Sequence, residues 1–316
     1  MSSPLATDLG VRRLLTAAGQ APSVHNTQPW RFRVVGREAI ELLADRDRWL
    51  RVSDPRGRSL RVSCGAALFN LRLAVRVAGW EPLTRLLPSP QERPDLLATV
   101  RVPRASRPSR AERDLYSFIG VRRTNRYPYE DRSVPGEVLD DLRTAASAEG
   151  AALFTTDPAD LLDYVAIAEE RLAADRGYRA ELAAWTMPKA RHDGVPGYVQ
   201  GPRGAKDPSP TRDFGRHEHT ARFEPHPQLA VLATPGDGPR DWLRAGQALQ
   251  RVLLTATMHG VSASFLNQPL DLRDILRRTD PRHPLGHPQM IIRFGYGPSV
   301  PRAPRRPATE LEITSA

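Results

Sequence analysis

The chain has 316 residues, 40% of them hydrophobic, which is enough for one large domain or two with a sizeable core. No apolar run approaches the roughly 20 residues that span a bilayer, and the first residues lack the pattern of a secretory signal. Cys64 is the only cysteine, which excludes an internal disulfide framework and a cysteine-rich metal site. We therefore expect a cytoplasmic protein without a membrane or metal partner.

The net charge of +10 raises the question of nucleic-acid binding. Lys189 and Lys206 are the only lysines among 46 basic residues, and arginine is dispersed through every segment. Aromatic residues make up 6% of the chain, without the basic–aromatic interleaving typical of single-strand binders. We expect no nucleic-acid partner, although a basic nucleic-acid-associated module stays open as a third class. Attraction of an anionic cofactor is a simpler role for the positive charge.

The first predicted helix carries Leu14, Leu15, Ala17 and Ala18, and a polar loop at residues 21–30 follows it. This loop reads Ala-Pro-Ser-Val-His-Asn-Thr-Gln-Pro-Trp, so several hydrogen-bonding side chains lie between two prolines. The pattern favours a loop that holds a polar, planar ligand. It is equally typical of an ordinary surface turn with a buried tryptophan.

Further along the chain, alternating and continuous apolar runs predict strands. The predicted strands are residues 32–35, 40–44, 97–102, 152–155, 229–234 and 290–294. Apolar residues at helical spacing predict long buried helices over residues 64–79 and 245–260, each with glycine at its C-cap. A helix starting near Pro135 has an ending similar to that of the first helix.

Each half of the chain thus contains an early helix, strands and a long central helix, which indicates an internal repeat. We expect the first half at residues 1–112 and the second at residues 113–316. The halves differ in two places. The loop at residues 21–30 has no counterpart in the second half, and the basic cluster Val-Arg-Arg-Thr-Asn-Arg at residues 121–126 has none in the first.

Taken together, the loop, the basic cluster and the tail (residues 267–269, 288–297 and 304–307) resemble the FMN-dependent nitroreductase family. That family opens with Arg-x-Ser/Thr-x-Arg/Lys and ends its first helix in Pro-Ser-x-x-Asn-x-Gln-Pro-Trp. The chain is similar to the fused, pseudo-dimeric actinobacterial branch, the Acg-like nitroreductases. The resemblance implies an α+β fold of two tandem half-repeats with mixed, largely antiparallel sheets and surrounding helices, forming an intrachain pseudo-dimer.

The resemblance implies that FMN lies between the halves. Arg122, Thr124 and Arg126 match the family's opening ligands and would hold the phosphate and ribityl side, since a phosphate dianion needs several charged donors. Arg305 and Arg306 would complete the phosphate site. On residue type alone, a solvated helix-start charge stays open for the double arginine, and a solvated tail stays open for Arg305 and Arg306.

Pro22, Ser23 and Asn26 match the family's loop that meets the flavin from the other half. Ser23 and Asn26 would hydrogen-bond the pyrimidine edge or the ribityl hydroxyls. His25 matches a position near the substrate and is a candidate catalytic residue, although a lone histidine is more often structural.

A backbone N–H near Leu266 or Asn267 would point at flavin N5. Relatives often have Glu-Gly where this chain has Asn267 and Gln268, which puts that contact in question.

These matches imply an oxidoreductase that transfers hydride from NADPH or NADH through FMN to a small electrophilic oxidant, with one FMN per chain. Nitro compounds, quinones and similar acceptors fit the sequence equally, and so do a monomer and a homodimer.

The segment at about residues 185–227 is rich in glycine and proline, which predicts a long irregular excursion that could form a lid. A lid over the flavin supports an alternative function, a flavin-sequestering or sensing protein with little turnover.

Overall fold

Two four-stranded antiparallel sheets form the framework of the protein in a computed structural model that describes residues 3–186, 191–205, 209–215, 219–276 and 286–313. The strands are β1 (Trp30–Val35), β2 (Ala39–Ala44), β3 (Leu83–Leu86), β4 (Leu96–Arg101), β5 (Ala152–Thr156), β6 (Arg203–Gly204), β7 (Thr220–Ala221), β8 (Gln228–Thr234), β9 (Ser262–Phe265) and β10 (His287–Gly295).

Helices surround and separate the sheets. The α-helices of the described residues are α1 (Asp8–Gly19), α2 (Arg58–Val77), α3 (Arg110–Ser117), α4 (Gly136–Ser147), α5 (Pro158–Ala174), α6 (Arg176–Thr186), α7 (Pro239–Met258), α8 (Gln268–Ile275) and α9 (Ala308–Leu311). Short 3₁₀ turns lie at Pro4–Ala6, Val24–Asn26, Arg46–Arg48 and Gly197–Val199.

The two sheets have the same topology. The strand order is β1-β2-β4-β3 in the first and β5-β8-β10-β9 in the second, with every pairing antiparallel. The long helices also occupy equivalent places: along the chain α2 follows β2, and α7 follows β8, each of which is second in the strand order of its sheet. The predicted α+β fold of two half-repeats is confirmed.

The long helices α2 and α7 cross at a pair of glycines. A Cβ atom added to Gly65 would overlap the carbonyl oxygen of Leu243, and one added to Gly246 would overlap that of Val62. Leu243 also belongs to the apolar core of the first half, and Val62 belongs to the core of the second. The two cores are therefore joined through these helices, at a backbone separation that only glycine permits.

The six predicted strands all form, with ends shifted by at most two or three residues. The long helices begin earlier than predicted, at Arg58 and Pro239, because the polar residues of their first turns hid the helical period. Strands β3 and β9 were not predicted, since each has only four residues.

The predicted excursion belongs to a larger insertion. In the first half a short turn at Gly36 joins β1 to β2, whereas α5, α6 and the segment up to β8 stand between β5 and β8. The excursion is not irregular throughout, because β6 and β7 pair in parallel within it. Residues 187–190, 206–208 and 216–218 of the excursion lie outside the described residues.

None of the helices described is both long enough and apolar enough to cross a membrane.

Candidate active site

A pocket opens where the two halves of the chain meet, and most of the predicted site residues form its wall. It encloses about 1180 Å³ of space, part of it open to solvent. The predicted residues that line it are Pro22, Ser23, His25, Asn26, Arg122, Thr124, Arg126, Asn267 and Arg305. Leu266 and Arg306 do not line it.

One wall is the loop after α1, whose backbone adopts an unusual conformation. His25, Asn26 and Gln28 have positive φ angles of 44°, 54° and 50°, which is uncommon for residues other than glycine. The Ser23 hydroxyl oxygen accepts a hydrogen bond of 2.9 Å from the Gln28 backbone N–H and closes the loop. Such conformations cluster at ligand sites, where the surrounding structure sustains the strain.

The Asn26 side chain positions a pocket arginine. Its amide nitrogen donates to the carbonyl oxygens of Gly194 (2.9 Å) and Pro304 (3.0 Å). Its amide oxygen accepts a hydrogen bond of 2.8 Å from Arg305. Asn26 therefore orients Arg305 rather than presenting a free amide to a ligand, which differs from the direct contact expected from the sequence.

The pocket also carries arginines with buried guanidinium nitrogens and without a negative partner in the described part of the chain. Arg122 is only 4% exposed, and its Nε and Nη1 atoms have no hydrogen-bond partner there. The Nε atom of Arg305 is likewise unpartnered. Burial and neighbouring arginines lower the pKa of Arg122 to about 10 and that of Arg305 to about 9. Buried cations with free donors are the chemistry of an anion site.

Arg126 lies beside an aromatic ring in the same pocket. It donates to the carbonyl oxygen of Val199 at 2.7 Å, and its guanidinium carbon is 5.0 Å from the centroid of Phe214. Burial, with a smaller contribution from Arg212, lowers the pKa of Arg126 to about 10. Arg126 thus stays cationic at neutral pH, next to a surface suited to a planar group.

His25 faces the same aromatic side chain. The rings of His25 and Phe214 meet edge to face, with centroids 6.3 Å apart. Burial, followed by Arg212 and Arg126, holds the pKa of His25 well below its usual value. The imidazole is therefore neutral at physiological pH and can donate or accept a hydrogen bond without carrying charge.

Arg212, Phe214 and Asp271 line the pocket but were not predicted. Arg212 donates to Asp271 at 2.5 Å and to the hydroxyl oxygen of Tyr178 at 3.1 Å. Asp271 is the only carboxylate among the described residues of the wall, and Arg212 neutralises it. Nothing in the sequence pairs these residues, because they come from the insertion and from α8.

The two residues predicted to face flavin N5 differ in their surroundings. The side chain of Leu266 is fully buried in an apolar cluster, and its backbone N–H donates to Ile291 at 3.0 Å. Its N–H is therefore engaged within the protein. Asn267 does line the pocket, and its amide oxygen accepts a hydrogen bond of 2.9 Å from the Ile291 backbone.

Arg306 lies beneath the loop instead of in the pocket. It donates to the carbonyl oxygens of Gln28 (3.2 Å), Trp30 (3.4 Å) and Glu310 (2.8 Å), and it lies 3.5 Å from a carboxylate oxygen of Asp45. The expectation that Arg306 completes the phosphate site is corrected here: its donors brace the loop.

No family model matches the chain. Two curated proteins of Mycobacterium tuberculosis are similar to it over nearly the whole length. "Putative NAD(P)H nitroreductase Rv3131" is 34% identical over 95% of this chain and 90% of its own length. The protein of the same designation called acg is 29% identical over 98% of this chain and 97% of its own length.

Two solved structures are also similar. The FMN-dependent nitroreductase NfnB from Mycobacterium smegmatis, in complex with NADPH, is 20% identical over 65% of this chain and all of its own, with a TM-score of 0.38. A nitroreductase with bound FMN from Bacteroides fragilis is 14% identical over 64% of this chain and 98% of its own, with a TM-score of 0.37.

Proposed function

The chain belongs to the nitroreductase family, and from this premise we propose that it is an FMN-binding oxidoreductase with one flavin site between its halves. It would transfer hydride from NAD(P)H to a small electrophilic acceptor such as a nitro compound or a quinone. One observation carries the proposal: Arg122, buried with two guanidinium nitrogens unpartnered among the described residues, lines the same pocket as Arg305, which Asn26 of the strained loop holds in place.

The residues present fit FMN. Arg122 and Arg305 would hold the phosphate, because their free donors need an anion. Thr124 lines the same pocket and can add a hydroxyl hydrogen bond. The Ser23 hydroxyl accepts from Gln28 and keeps its own proton to donate to the ribityl chain or the pyrimidine edge.

Bound FMN would supply hydride transfer at N5, and the chain's own residues would supply orientation and electrostatics. A cationic Arg126 would stabilise negative charge on the pyrimidine or ribityl side. Asn267 would donate its backbone N–H to the ring, since the N–H of Leu266 already donates to the carbonyl oxygen of Ile291. The neutral His25 would hydrogen-bond an acceptor on the substrate side without repelling a cationic nicotinamide.

The cofactor assignment is tested by removing two arginines together. Arg122→Ala with Arg126→Ala should give a colourless protein, because the flavin loses one arginine at its phosphate and another at its pyrimidine or ribityl side. Arg12→Ala with Arg13→Ala is the matched control, since it removes the same charge from the exposed face of α1. Stoichiometric FMN in the first variant would overturn the assignment.

The insertion favours a second function, in which the protein sequesters the flavin with little turnover. Five residues of the insertion, which we call the cover, line the pocket: Gly194, Val195, Val199, Arg212 and Phe214. The first part of this cover is also fixed to the loop after α1, because the Gly194 backbone N–H donates to Asn26 at 3.2 Å. A fixed cover would restrict access of the nicotinamide.

Anaerobic stopped-flow mixing of the flavin-loaded protein with NADPH separates the two functions. Rapid bleaching of the flavin bands supports a reductase. Bleaching by dithionite but not by NADPH or NADH supports sequestration. In that case Phe214→Ala should permit bleaching by NADPH, because it removes an aromatic wall of the cover.

A further inference from the structure

One end of the pocket carries more positive charge than one phosphate can neutralise. Arg122, Arg123, Arg302 and Arg305 all line it. Within the described ranges, none of the four lies within ion-pair distance of a carboxylate. A phosphate monoester carries about −1.5 to −2 at pH 7. Four guanidinium groups therefore leave a surplus of about two positive charges.

The four arginines form an inner and an outer pair. The inner pair, Arg122 and Arg305, has buried nitrogen atoms without partners among the described residues. The outer pair, Arg123 and Arg302, reaches solvent: Arg302 is exposed and Arg123 half-buried. A ligand with one phosphate on the inner pair would place its next substituent at the outer pair.

The outer arginines are oriented by neutral groups. Arg123 donates from Nη1 to the carbonyl oxygens of Gly120 (2.8 Å) and Val121 (2.9 Å), which leaves Nε and Nη2 for a ligand. Arg302 donates to the side-chain oxygen of Gln20. Burial lowers the pKa of Arg123, and the positive charge of the nearby Arg302 lowers it further. The two guanidinium groups therefore repel each other, and a bound anion would relieve that repulsion.

We propose that Arg123 and Arg302 bind a second phosphoryl group, so that the pocket accommodates the pyrophosphate of a dinucleotide beside the inner phosphate site. This deepens the proposed function, on which it rests for the occupant of the inner pair. The second phosphoryl group has two possible sources: FAD in place of FMN, or the reducing nicotinamide dinucleotide.

Inorganic pyrophosphate is the direct probe, and it needs no flavin. By calorimetry, the flavin-free protein should bind pyrophosphate about tenfold more tightly than phosphate, since two more charge-assisted donors engage it. Arg123→Ala with Arg302→Ala should abolish that difference and leave phosphate binding within about threefold. Equal affinities for the two anions in the unmodified protein would overturn the proposal.

The same double variant identifies the source. If FAD is the ligand, its affinity for the flavin-free protein falls about tenfold while FMN affinity is unchanged. If the nicotinamide dinucleotide is the ligand, its dissociation constant for the FMN-loaded protein rises instead. Arg12→Ala with Arg13→Ala controls for the loss of two charges and should change none of these values. If the protein prefers pyrophosphate to phosphate but does not bind FMN, the proposed function is rejected and the second phosphoryl site is retained.

Discussion

Two adjacent arginines in the tail have different surroundings and different expected roles. Arg305 lines the pocket, and its Nε has no partner among the described residues, whereas Arg306 is buried and donates to the carbonyl oxygens of Gln28 and Trp30. The first is a cation without a carboxylate partner in the part of the chain that the structure describes. The second connects the tail to the loop.

These surroundings predict different effects of alanine substitution on stability and on FMN binding. Arg306→Ala should lower the free energy of unfolding by about 3 kcal/mol, because buried acceptors and Asp45 lose their partner. Arg305→Ala should change stability by less than about 1 kcal/mol, because it removes an uncompensated charge. It should also weaken FMN binding about tenfold or more.

Urea unfolding of the flavin-free proteins and fluorescence titration with FMN measure the two quantities. Equal stability losses in the two variants would contradict these assignments.

His25 makes stability depend on pH in a defined direction. Its pKa is lowered in the folded chain, chiefly by burial, so the unfolded chain binds a proton at higher pH than the folded chain does. Protonation therefore favours unfolding, and stability is lost as the pH falls below the ordinary value of 6.5.

His25→Asn removes this titration and keeps a residue type that tolerates positive φ. Relative to the variant, the unmodified protein should lose free energy of unfolding as the pH is lowered from 6.5. Urea unfolding at several pH values on flavin-free protein measures the difference. Parallel pH profiles for the two proteins would show that His25 titrates normally.

At the scale of elements, the crossing of α2 and α7 sets the distance between the halves. Gly65 and Gly246 bring the two helix backbones into direct contact. The pocket draws on both helices, through Ser59, Val62 and Ser63 of α2 and Leu249 of α7. Any separation of the helices therefore changes the pocket as well as the core.

Gly65→Ala should destabilise the fold by about 3 kcal/mol, because its methyl group would overlap the Leu243 carbonyl oxygen. Gly136→Ala at the start of α4 is the matched control, since a Cβ there meets no atom within 4 Å. The control should be neutral or slightly stabilising. Thermal unfolding compares the two, and similar melting temperatures would argue against a close crossing.

At the scale of the whole molecule, the two halves share a topology but differ in the segment after their first helices. The turn after α4 corresponds to the loop after α1, and it carries Glu149 where that loop carries Ser23 and Asn26. Glu149 accepts hydrogen bonds from Arg72 (2.7 Å) and Arg251 (3.1 Å), one from each long helix. These ion pairs occupy the position related by the repeat to the loop side of the pocket.

We therefore expect one FMN per chain, whether the protein is a monomer or a homodimer. Absorbance of the released flavin against the protein concentration gives the ratio, and light scattering gives the oligomeric state. Two flavins per chain would mean that the second half forms a site of its own.

Local patterns in the sequence were sufficient for the framework. The period of apolar residues predicts α1, α4 and six strands, because burial of one face imposes that period on each element. The repeat of helix, strands and long helix predicts two similar sheets. The loop at residues 21–30 and the arginines at residues 122–126 could be recognised because each set is contiguous.

The way in which distant side chains combine could not be read from local patterns and follows from the packing of the folded chain. That packing directs Arg305 to the pocket and Arg306 to the core, although both have the same local sequence context. It places Phe214 beside His25 and makes Asn26 a support for Arg305. These outcomes depend on packing between segments far apart in the chain, whereas a local pattern reports only which face of one element is buried.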